Sequence, residues 1–91
     1  MGSFEWDENK AQINFTKHGV SFEEASTVFE DTDAETFEDV EHSFDELRYI
    51  DIGLSKYNRL LLVVYAEREN RIRIISARPC TSQEARLYGS S

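Results

Sequence analysis

The tightest constraint on this chain lies in its second half, where three apolar stretches are joined by connections too short for anything but turns. Leu47 to Leu54, Arg59 to Glu67 and Arg71 to Ala77 are separated only by Ser55 to Asn58 and by Arg68 to Asn70. Parallel neighbours need a crossover of about a dozen residues or more, so these stretches pair antiparallel, as a meander. The apolar run Leu60 to Ala66 reads as a buried strand, because a membrane-spanning helix needs about 20 such residues.

The first half carries helical punctuation instead. Phe4 to Trp6 predicts a short first strand. Asp7 is placed to cap a helix running to His18, with Glu8 favourable in its first turn, Lys17 and His18 in its last, and Gly19 as the stop. Ser21 to Glu24 has the capping-box pattern, and Phe22, Ala25, Val28 and Phe29 follow at helical spacing up to about Asp31. These two helices predict a hairpin packed on the sheet. Residues 30–46 are acidic and weakly patterned, a mobile loop with at most a short edge strand at Thr36 and Phe37. Pro79 ends the last strand because it cannot donate to a ladder. Thr81 to Glu84 then opens a short final helix that includes Leu87 and Tyr88.

With 91 residues and no repeat or linker, the expected organisation is one α+β domain over 1–91. Met1 to Asp7 lacks the basic and apolar regions of a secretory signal, and the expected location is the cytoplasm. Cys80 is the only cysteine and His18 and His42 the only histidines, which leaves no disulfide framework and no four-ligand zinc site. The four glycines form neither a dinucleotide-binding nor a P-loop fingerprint, so cofactor chemistry is not expected.

The net charge of −8 conceals an asymmetry. Residues 1–46 hold 14 acidic and 2 basic side chains, residues 47–91 hold 4 acidic and 8 basic. Fields decay over about 8 to 10 Å at physiological salt, so the basic half can still meet a phosphate backbone locally. Arg68, Arg71, Arg73 and Arg78 lie on or beside the last strand. Strict alternation would place Arg71 and Arg73 on one face with Ala77, and Ile72, Ile74 and Ser76 on the other. Guanidinium groups suit phosphate binding and the charge that builds up in phosphoryl transfer. The alternative is that these arginines pair with the acidic half.

His18, at a helix C-terminus that favours imidazolium, suits a general acid, or merely caps its helix. Glu67 and Tyr88 suit proton transfer or base stacking, or a salt bridge and a core position. Trp6 stacks on a base or belongs to the core.

Phe4-Glu5-Trp6-Asp7 with Lys10 and Asn14, the block Lys17 to Ala25, Val28 to Asp31, Arg48, Gly53, Leu61 to Tyr65, Glu67-Arg68, Arg71 to Arg78, Thr81, Glu84 and Tyr88 together resemble the BrnT toxin family over residues 4–88. The resemblance implies a RelE-like ribonuclease fold, an N-terminal helical hairpin packed on an antiparallel β-sheet with a short C-terminal helix. It also implies the toxin of a type II toxin–antitoxin pair that cleaves RNA and inhibits translation. A BrnA-type ribbon-helix-helix antitoxin is the implied partner, in a heterotetramer that meets operator DNA only through the antitoxin.

With the residue reading, this assigns catalysis to His18, Glu67, Arg68, Arg73 and Arg78 and RNA contact to Arg71, Lys17, Arg48, Tyr88 and Trp6, with no metal. The sequence departs from the family where Pro79 and Cys80 follow Arg78 and Ala85 follows Glu84, positions often more basic in relatives. The competing class is a partner-binding module without catalysis. A DNA-binding regulator would need a basic recognition helix, and none is evident.

Overall fold

Asp7 closes the first strand and opens the first helix: its carboxylate accepts the N–H groups of Asn9 and Lys10, two donors that a helix start leaves free. The computed structural model describes residues 3–43 and 46–89. Strand β1 (Ser3–Glu5) leads to α1 (Glu8–His18), which ends where Gly19 turns to φ 70° and donates to the Phe15 carbonyl. Helix α2 (Phe22–Ser26) is only five residues long and runs on as a 3-10 turn, Thr27–Glu30.

Ser21 caps α2 through the Glu24 N–H, but the expected reciprocal bond from the Glu24 carboxylate is not made. That carboxylate is buried and accepts from Ser55 and Arg59, and the Arg59 bond holds it below the usual carboxylate range. Arg59 also donates to the Gly19 carbonyl at 2.9 Å, so one guanidinium ties both helices to the start of the central strands.

The acidic segment expected as a loop contains β2 (Glu35–Glu38) and a 3-10 turn (Val40–His42), while residues 44 and 45 lie outside the described residues. Then come β3 (Arg48–Leu54), β4 (Leu60–Arg68), β5 (Arg71–Pro79) and α3 (Ser82–Ala85). The β4–β5 connection shrinks to Glu69 and Asn70, both at positive φ, the two-residue turn that matches strand twist. Pro79 is the last residue of β5, as expected.

The strand order is β1-β5-β4-β3-β2. The meander is antiparallel as predicted, but the sheet as a whole is mixed, because β1 pairs parallel to β5. The chain from α1 through β4 lies between them and supplies the long connection that a parallel pair requires. One face packs Leu61, Val63, Ile74 and Ala77 against Val20, Phe22, Ala25 and Val28, with Phe4, Trp6, Phe29 and Ile72 at the margin.

Strict alternation along β5 fails at one point. Val64 pairs with Ser76 and Tyr65 with Ile74, so Ile75 is an extra residue in the ladder. An extra residue reverses the facing of everything beyond it. Ala77 therefore joins Ile72 and Ile74 on the core face, and Ser76 and Arg78 join Arg71 and Arg73 on the other.

Candidate functional site

The face opposite the core is built in rows by the strand register. Arg48, Ala66, Arg73 and Glu5 form one row across β3, β4, β5 and β1, and Arg68, Arg71 and Ser3 form the row beside it. Strands lie about 4.8 Å apart, so the Arg48 and Arg73 backbones stand about 10 Å apart across Ala66. Ala66 is fully buried between these two long cationic side chains. At the end of β4 and β5 the hairpin residues Glu67 to Ile72 line a surface concavity of about 520 Å³.

These arginines are partly neutralised by the acidic first half. Arg71 donates to Glu5 at 2.9 Å, and Arg73 lies 3.6 Å from the other oxygen of the same carboxylate. Arg68 donates to Glu46 at 2.9 Å, and that bond holds the Glu46 carboxyl below its ordinary range. In this corner of the sheet four guanidinium groups meet the carboxylates of Glu5 and Glu46, with Glu69 also in the field of Arg68, which leaves a smaller excess of positive charge. Arg48 contributes one donor without a partner, since its Nε is buried and makes no hydrogen bond.

Arg78 shares the face but not the corner. It pairs with Leu62, four residues along β3 from the Arg48 row when traced through Ile52, a distance of about 13 Å. Both of its terminal nitrogens bond the Glu84 carboxylate at 2.8 Å. Glu84 also completes the predicted box with Thr81, so Arg78 anchors α3. Its carboxyl is pulled down to about 2, chiefly by the Arg78 hydrogen bond.

Glu67 pairs with Ile72, which points its side chain away from the Arg68, Arg71 and Arg73 face. Tyr88 donates to Asp31 at 2.7 Å, and this bond raises its hydroxyl to about 12. Asp31 also accepts from the Leu54 N–H at the far end of β3, about 20 Å along the strand from Arg48. Trp6 meets Phe22 edge to face at 5.9 Å, as a core residue would. Neither aromatic stands beside the arginine rows.

His18 and Lys17 occupy a second surface. With Lys10, Ile13 and Asn14 of α1 and Ile75 and Ser76 of β5 they line a groove of about 220 Å³. Ser76 lies one row below Arg73, so this groove borders the arginine corner. Glu5 and Glu46 were missed by reading the sequence. Only the parallel pairing of β1, which local spacing does not encode, brings Glu5 beside Arg73.

Among the described residues no group of three or more His, Cys, Asp or Glu side chains is placed to hold a metal ion. No helix among them is long and apolar enough to cross a membrane.

A five-stranded mixed sheet with three helices defines an α+β domain that gathers four arginines at one corner. The crystal structure of the Brucella abortus ribonuclease toxin BrnT superposes with a TM-score of 0.69, at 22% identity, over 90% of this chain and 100% of that one. The family described as "Ribonuclease toxin, BrnT, of type II toxin-antitoxin system" matches residues 6–84. The chain belongs to the BrnT family, and that membership implies an antitoxin partner. Among curated proteins none matches.

Proposed function

We propose that this chain is a RelE-like, metal-independent endoribonuclease that cleaves single-stranded RNA in the cytoplasm and so inhibits translation. The ribose 2′-hydroxyl attacks the adjacent phosphate, leaving a cyclic phosphate and a free 5′-hydroxyl. A BrnA-type ribbon-helix-helix antitoxin neutralises it in a heterotetramer and carries the pair to operator DNA. The observation that carries this reading is the excess of guanidinium over carboxylate around Ala66, with the Arg48 Nε unpartnered. Arg48, Arg68, Arg71 and Arg73 bind the phosphodiester and the charge that builds on it, and Lys17 and His18 guide the flanking strand across the adjoining groove.

Removing one cation that faces the transition state costs on the order of 10²- to 10³-fold in rate, by analogy with oxyanion donors. Purified wild-type and Arg73→Ala protein are compared on RNA with mapping of 5′-hydroxyl ends. Equal activities would take Arg73 out of the site.

A second reading, a partner-binding module without catalysis, draws on the pairing of Arg68, Arg71 and Arg73 with Glu46 and Glu5. An acidic partner segment would displace those carboxylates as readily as RNA does. Absence of new 5′-hydroxyl ends with wild-type protein decides for it.

A further inference from the structure

We infer that Glu5 is the general base that takes the proton from the ribose 2′-hydroxyl; this rests on the ribonuclease reading above. Three observations select it over the other carboxylates near the arginines. Glu5 closes the row that runs through Arg48, Ala66 and Arg73, so a phosphate held by Arg73 has this carboxylate on the neighbouring strand. Glu67, the acid chosen from the sequence, points to the opposite face through its pairing with Ile72. Glu46 comes from the segment before β3 rather than from a strand of the sheet, and its partner is Arg68 of the next row rather than Arg73.

The setting of Glu5 suits proton transfer. Its side chain is 22% exposed, shielded yet open to a ligand, and β1 is held by its ladder with β5. The charged groups that face it are Arg71 and Arg73 of β5 and Arg68 of β4, while Glu46 sits in the field of Arg68, Arg73 and Arg48. The two nearest cations hold its oxygens in place and then receive the phosphate.

In the step itself the 2′-oxygen bonds to phosphorus as its proton passes to Glu5. The bond from phosphorus to the 5′-oxygen breaks, and that oxygen takes a proton from water. Glu5 returns its proton to solvent.

The test is the pH dependence of RNA cleavage by wild type, Glu5→Gln and Glu46→Gln, with thermal melts showing that each is folded. General-base catalysis is worth about 10²- to 10⁴-fold, so Glu5→Gln is expected to lose that much in kcat with KM little changed. Its profile also loses the decline toward acid pH, which Glu46→Gln retains. A carboxylate that merely neutralises arginines predicts the reverse: Glu5→Gln would bind RNA more tightly and cleave as fast or faster, and that result overturns the assignment. Loss of the acid decline in Glu46→Gln alone also overturns it. A folded wild-type protein that cleaves no RNA removes the ribonuclease reading and this base together.

Discussion

Asn14 and Ala77, 63 residues apart, close a two-way hydrogen bond: the Asn14 Oδ1 accepts from the Ala77 N–H at 3.1 Å and its Nδ2 donates to the Ala77 carbonyl at 2.8 Å. The same amide donates to the Val20 carbonyl at 3.0 Å. Strand β1 covers β5 only from Arg71 to Arg73, so beyond that point no strand among the described residues lies beside this edge of β5. Asn14 acts there as one residue of a missing strand. It satisfies the buried backbone and holds α1, with Lys17 and His18, against the end of the site.

Asn14→Leu keeps the approximate volume and removes every one of these bonds. Each orphaned buried group costs about 1 to 3 kcal/mol, and a bare sheet edge invites aggregation. Urea unfolding is expected to show a loss of at least that size. A variant as stable as wild type would mean that the amide plays no part in holding the edge.

Gly53 lies where the 3-10 turn presses on β3. A Cβ built there would stand 2.8 Å from the Ala34 Cβ and 2.9 Å from the Val28 Cγ1. Neither neighbour can swing aside, and overpacking of this kind costs about 1 to 3 kcal/mol. Gly53→Ala should lower the midpoint of denaturant unfolding without altering its slope.

Glu84 carries an acid-sensitive contribution. Its folded-state pKa is depressed to about 2 from 4.5, so the stability it provides is complete above about 4.5 and is lost as pH falls toward 2. Glu84→Gln is expected to cost about 1 kcal/mol at pH 7, the usual scale for a helix cap with a partly exposed ion pair. The gap between variant and wild type should close by pH 2. A gap independent of pH would show that Glu84 acts through packing alone.

Asp51 slopes the other way. It is buried on the core face with hydrogen bonds from Thr36 at 2.7 Å and Tyr65 at 3.1 Å, and burial raises its pKa above 3.8. A raised pKa means that the proton-bound form favours folding: the contribution is full below 3.8 and fades as pH rises through the folded-state value. Asp51→Asn should therefore gain stability relative to wild type as pH climbs from 3.8 toward neutrality. Parallel stability curves for the two proteins would show that the carboxyl ionises as easily in the fold as in the unfolded chain.

Local chemistry settled which elements form. Asp7, Gly19, Ser21 and Thr81 cap or stop helices through bonds to residues a few positions away, and the short turns between β3, β4 and β5 leave only antiparallel pairing. Those interactions are complete within a few residues, so spacing reveals them. The facing of the arginines, the choice of carboxylate beside them and the duties of Arg78 and Tyr88 were decided by contacts between distant segments. One extra residue at Ile75 moves Arg78 from the core face to the arginine face, and the parallel docking of β1 brings Glu5 to Arg71 and Arg73 while Glu67 faces the other way. Register between strands depends on how whole surfaces pack together, and a period of two along a single strand carries no record of it.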